Sequence, residues 1–115
     1  MIYEVTIDTP ITYSILSKLA TPIKLEFGLI QELLVDFPPG SAGFLFLHIN
    51  HGLSQIFPKS QGYFHGDNRL FEFRNAEYPI FTEPYELTAF TWNNDDLYRH
   101  EVNIYINLTR MGRFV

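Results

Sequence analysis

The chain has 115 residues, 46% of them apolar and 17% aromatic, which suits one packed domain and not a disordered segment. Its formal net charge of −5, with no long run of like charge, argues against nucleic-acid phosphates or an anionic membrane as the main partner. Cysteine is absent, so disulfides, zinc–thiolate sites and thiol nucleophiles are excluded, and no apolar run is long enough to cross a bilayer as a helix.

In chain order, Tyr3, Val5 and Ile7 alternate with Glu4, Thr6 and Asp8 and predict a first strand closed by Thr9-Pro10. The same alternation replaces the basic start and continuous apolar core of a signal peptide, so a soluble protein is expected. Residues 11–20 are read as a loop or arm with at most a helical turn, since Ile11, Ile15, Leu16 and Leu19 are spaced for a helix while Thr12, Tyr13 and Ser14 suit extended chain. Pro22 is expected to open a strand with Ile23, Leu25 and Phe27 on one face, broken or bulged at Gly28. Leu29, Gln31, Leu33, Val35 and Phe37 predict one face of the next strand, which Pro38-Pro39-Gly40-Ser41 must end.

Residues 42–50 are apolar on both faces through Phe44-Leu45-Phe46-Leu47-His48-Ile49, which predicts a central strand covered on both sides or by a neighbouring molecule. Asn50-His51-Gly52 reads as a hairpin turn, with residues 53–57 returning as a strand. A polar loop over 59–68 holds Tyr63 and Phe64. Short strands are expected at 69–73 and 78–81, and a strong one at 85–92. Asn93-Asn94-Asp95-Asp96 turns the chain into 98–108, where six alternate side chains, from Tyr98 and His100 to Leu108, face one way without a slip.

About eight strands at regular intervals predict an all-β antiparallel sandwich, either jelly-roll-like or an immunoglobulin-like Greek key. The organisation is one domain: an N-terminal strand and arm over 1–20, a sandwich core over 21–108 and a tail over 109–115. Arg110 and Arg113 make that tail a mobile end or a basic hook for an acidic partner.

No residue pattern announces a reaction. His48 and His51 stand three apart, which in a strand puts them on opposite faces, so no metal is assigned. Asn93, Asn94, Asp95 and Asp96 carry the oxygen ligands hard cations take, but not in the spacing of a calcium loop, and such side chains in turns bond their own backbone. Glu72, Glu77, Glu83 and Glu86 lie on separate segments, with no spacing that sets two of them across a scissile bond. The expectation is a non-enzyme without a cofactor.

Aromatic rings at loop and strand ends are the better candidates for contact with a partner. Tyr63, Phe64, Trp92, Asn93, Asp95, Asp96, Tyr98 and Tyr105 are the candidate interface or ligand residues. Tyr105 stands out because it sits on the polar face of the last strand between Asn103 and Asn107.

The run Phe37-Pro38-Pro39-Gly40-Ser41-Ala42-Gly43 comes first, followed by an apolar strand, His51-Gly52, Gln55-Ile56-Phe57-Pro58 and Gly66-Asp67-Asn68. Pro84-Tyr85-Glu86-Leu87-Thr88 and the run from Trp92-Asn93-Asn94-Asp95-Asp96 to His100 complete the order. In this order the motifs resemble a group of small, poorly characterised β-sandwich proteins associated with the virions of tailed phages and related viruses. The resemblance covers roughly 21–108. It implies a viral structural or accessory protein, such as a capsid decoration, vertex or tail-accessory subunit, and it carries no catalytic residue. The partners expected from it are viral structural proteins and further copies in a homo-oligomer, and the location is the virion, reached from the host cytoplasm during assembly. A competing expectation is a carbohydrate-binding module of a receptor-binding part, with Tyr63, Trp92 and Tyr98 as a stacking platform for a glycan. A hydrolase comes third.

Overall fold

The computed structural model describes residues 1–59 and 62–110. Nine strands run in the order β1 (Ile2–Thr9), β2 (Leu19–Lys24), β3 (Gly28–Phe37), β4 (Leu45–His51), β5 (Ser54–Phe57), β6 (Phe64–His65), β7 (Arg69–Ile80), β8 (Glu86–Asn93) and β9 (His100–Arg110). They form two antiparallel sheets, β1-β9-β3-β7 and β2-β8-β4-β5, with β6 also paired to β4. Strands β5 and β6 lie along the same edge of β4, opposite residues 49–51 and 46–47, so they act as one strand interrupted by the 58–63 connection.

The pairing is nested. β1 pairs β9, β2 pairs β8, β3 pairs β7 and β4 pairs β5, and the resulting ribbon wraps so that β9 meets β3 and β8 meets β4. That wrapping is a jelly roll and decides between the two expected Greek keys.

Alternation fills the space between the sheets. Leu33, Val35, Phe37, Val102, Ile104, Ile106 and Leu108 come from one sheet, and Ile23, Leu45, Leu47, Ile49, Leu87 and Ala89 from the other, all at most 2% exposed. Thr9 and Thr91 are polar members of this layer. Their hydroxyls bond each other at 2.8 Å, one from each sheet, so neither is left unpaired where water is excluded.

Several sequence expectations change. Pro22 lies inside β2 and does not open it. The strand is at the sheet edge, where a missing N–H leaves no ladder bond unmade, and Leu25 and Phe27 fall in the crossing to β3. In β3 a register shift between Ile30 and Glu32 changes the parity: Ile30 joins Leu33, Val35 and Phe37 in the core, and Leu29 does not share their face. The two strands expected over 69–73 and 78–81 are one 12-residue strand, β7, kinked by left-handed backbone at Asn75 (φ 56°) and Glu77 (φ 50°). Two residues expected in the tail are strand. Thr109 and Arg110 belong to β9, and Arg110 pairs with Glu26 at 2.9 Å, while Arg113 lies outside the described residues. Residues 11–18 hold no helical turn; Ser14 and Ser17 exchange backbone bonds of 3.2 and 3.0 Å around a tight turn.

Candidate functional site

Four connections gather at one end of the sandwich: 10–18, 38–44, 66–68 and 94–99. The sequence makes each of them stiff. Pro38-Pro39 fixes two φ angles, and Gly40 (φ 113°) and Gly43 (φ 78°) take left-handed backbone on either side of Ala42 (φ 50°). Asp67 then clamps this corner from the neighbouring loop, accepting from the Gly40 N–H at 2.7 Å and the Ala42 N–H at 3.2 Å. Ser41 Oγ donates to the Gly66 carbonyl at 2.6 Å, and the Asn68 N–H donates to the Pro38 carbonyl. The motifs around Pro38 and Gly66, far apart in sequence, are one structural unit.

Asn93 performs the same bracing for the other two loops. Its buried Nδ2 donates to the carbonyls of Thr9 (3.0 Å) and Tyr98 (2.9 Å), and its Oδ1 accepts from the Asp95 N–H at 2.9 Å. Its own N–H bonds the Tyr13 carbonyl, and the Asn94 N–H bonds the Phe44 carbonyl. Asp95 accepts from the Leu97 N–H at 3.0 Å and pairs with His100 Nε2 at 2.7 Å. The Leu97 N–H first, and His100 second, hold the Asp95 carboxyl below the usual carboxylate range. Asn93 and Asp95 are thus spent on internal bonds.

On this fixed end stand Ile11, Ile15, Leu16, Phe44, Leu97 and Tyr98, six of the twelve large apolar side chains exposed among the described residues, with Leu16 at 94% and Leu97 at 76%. A shallow cavity of about 320 Å³ opens beside them between residues 38–41 and 98–101. Sequence reading picked out Tyr98 and the Asx turn but missed Leu16 and Leu97. Their signal was present, since an aliphatic side chain at the tip of a turn has nothing of its own chain to pack on.

The other candidate residues are dispersed. Phe64 points into the core against Phe71 and Phe73. Trp92 is 1% exposed on the outer side of the β4–β8 pair, where it stacks on Phe46 at 5.3 Å and meets Tyr63 edge-on at 4.7 Å. Lys18 Nζ closes the indole from above, 4.7 Å from its centroid. Asp96 is exposed in the loop, and Tyr105 is half-buried on the outer side of the first sheet between Glu4 and Leu34. Tyr63, Trp92 and Tyr98 therefore do not make an open platform of three rings.

Two further cavities lie elsewhere. One of about 550 Å³ opens between β5 and β7, lined by Ile56, Phe57, Phe73, Ala76 and Tyr78 with Lys59 and Arg74 at its rim. One of about 370 Å³ beside the β4–β5 turn brings His51, Glu83 and Glu86 to one place, a grouping the sequence spacing did not suggest. Glu83 is exposed there, and His51 is bonded to the Tyr78 hydroxyl at 2.6 Å. Among the described residues no three His, Asp or Glu side chains come together as metal ligands.

No protein-family model matches this chain, and no curated protein matches it either.

Proposed function

We propose that this jelly roll is a non-enzymatic structural or accessory subunit of a virion, docking on other structural proteins and on copies of itself through the braced loop end. The observation that carries the reading is the pairing of exposure with rigidity: six large apolar side chains stand in water on loops tied to one another by hydrogen bonds. Apolar surface concentrated at one place marks a protein contact, and loops fixed beforehand lose little entropy when they dock. The resemblance of the Pro38–Ser41, Gly66–Asn68 and Trp92–His100 motifs to virion-associated proteins supplies the virion, and those same motifs build this end.

Sedimentation velocity over a range of concentrations tests the reading, followed by detection of the protein in purified particles. Self-association is expected, with the combined change Leu16→Ser, Leu97→Ser and Tyr98→Ser returning a folded monomer. A protein that stays monomeric and is absent from particles ends the proposal. The carbohydrate-binding alternative has less support because Trp92 is covered by Lys18, Phe46 and Tyr63. It would be favoured if a glycan column retained the protein and Tyr63→Ala abolished retention.

A further inference from the structure

The exposed turn at Ile15 and Leu16 lies between Tyr13, whose carbonyl accepts from the Asn93 N–H, and Leu19, which pairs with Thr91 of β8, and from it Lys18 reaches onto the outer side of the β4–β8 pair. Its ammonium lies 3.1 Å from His48 Nε2 and over the rings of Trp92 (4.7 Å) and Tyr63 (5.7 Å). An ammonium only donates, so His48 Nε2 must present a lone pair. The other ring nitrogen then carries the proton and donates to Asn50 Oδ1 at 2.8 Å. The arrangement exists only with a neutral imidazole.

We propose that Lys18 and His48 form an acid-released latch that holds the 14–18 turn, with its exposed Ile15 and Leu16, against the sheet. Protonation of His48 removes the lone pair and sets two cations side by side, and the ammonium leaves. The groups facing His48 are Asn50 on its own strand, Phe90 and Trp92 on β8, Tyr63 ahead of β6, and Lys18. None of these is a carboxylate that could compensate the second charge. Among the described residues no acidic side chain pairs with Lys18. Burial of the ring holds His48 below its ordinary value, against an opposite pull from the Asn50 hydrogen bond, with the Lys18 charge adding a smaller push in the same direction as burial. Release is therefore expected on the acid side of about pH 6.5. The proposal does not depend on the virion reading, because every group in it lies within one chain.

The protein carries its own probes, since Trp92 is the single tryptophan and there is no cysteine. A nitroxide on Leu16→Cys reports mobility of the 14–18 turn by electron spin resonance, while Trp92 emission reports the latch. Between about pH 7.5 and 5, both signals are expected to change together with one midpoint below the ordinary histidine value of about 6.5. His48→Gln should hold both flat at the latched level, and Lys18→Met should leave the label mobile at every pH. His65→Gln, which alters the imidazole stacked 4.8 Å from Phe46, should leave the transition in place. The proposal is overturned if the unmodified latch gives no transition, if the transition survives His48→Gln, or if it is lost in His65→Gln. Should His48→Gln fail to fold, a pH-dependent label in Lys18→Met also overturns it.

Discussion

The bracing of the loop end rests on two side chains that a surface view would treat as ordinary turn residues. Asp67 holds two backbone N–H groups of the 38–44 corner while itself exposed, so Asp67→Ala is expected to cost about 1 kcal/mol, measured by urea denaturation. Asn93 is buried, and its removal leaves the Thr9 carbonyl without its side-chain donor and the Asp95 N–H without its acceptor. Asn93→Ala should cost about 3 kcal/mol in the same measurement. Asp95 adds a pH dependence of defined sign. Its folded value is depressed, so its contribution is fully present above the unfolded carboxylate value of about 3.9 and is lost as pH falls through the lower folded value. Part of the stability lost between pH 5 and 3 should therefore disappear as a pH effect in Asp95→Asn, read from urea midpoints at the two pH values.

At the level of single elements, Gly28 shows how closely two strands can meet. It begins β3 opposite Arg110 of β9, and a Cβ there would stand 2.5 Å from the Thr109 carbonyl oxygen. Backbone cannot swing aside as a side chain can, so Gly28→Ala should cost about 2 kcal/mol or more, seen as a lowered thermal midpoint. The alternation of β1 and β9 was legible in the sequence because each has one buried and one wetter face, and period two needs no tertiary knowledge. β3 and β7 were misread for a common reason. A bulge or a left-handed residue changes which face the next side chain takes, and neither Gln31 nor Glu77 is a residue type that announces it. The double-sided apolar character of β4 was legible as a central strand. Its outer cover was not, since Trp92 and Phe90 come from β8 and Tyr63 from the connection before β6. The same limit applies to the loop end, which unites four segments spread over residues 10–99. Only the nested pairing, invisible to local pattern, brings them together.

For the whole molecule, shape sets how strongly the loop end can bind. The extents are 53 × 25 × 22 Å, and a 12-residue strand at about 3.3 Å per residue must run along the longest of them, which puts the braced loops at one tip. That 25 × 22 Å tip offers roughly 550 Å² per copy, short of the roughly 800 Å² a side of a standard stable interface. A pair of copies meeting tip to tip should thus dissociate readily, and firm attachment would need several tips closing on one another or on a larger shell. The apolar character of the contact separates this from electrostatic association. Of the charges at the tip, Arg99 is engaged by Asp8 at 2.8 Å and Asp95 by His100 at 2.7 Å, while Asp96 stands exposed. Raising sodium chloride from about 50 to 500 mM shortens the Debye length from about 14 to about 4 Å and would dissolve an assembly held by charge. Sedimentation coefficients at the two salt concentrations are expected to agree, with association falling instead in Leu16→Ser and Leu97→Ser. Association that collapses in high salt would place the contact on a charged face of the sandwich and not on this tip.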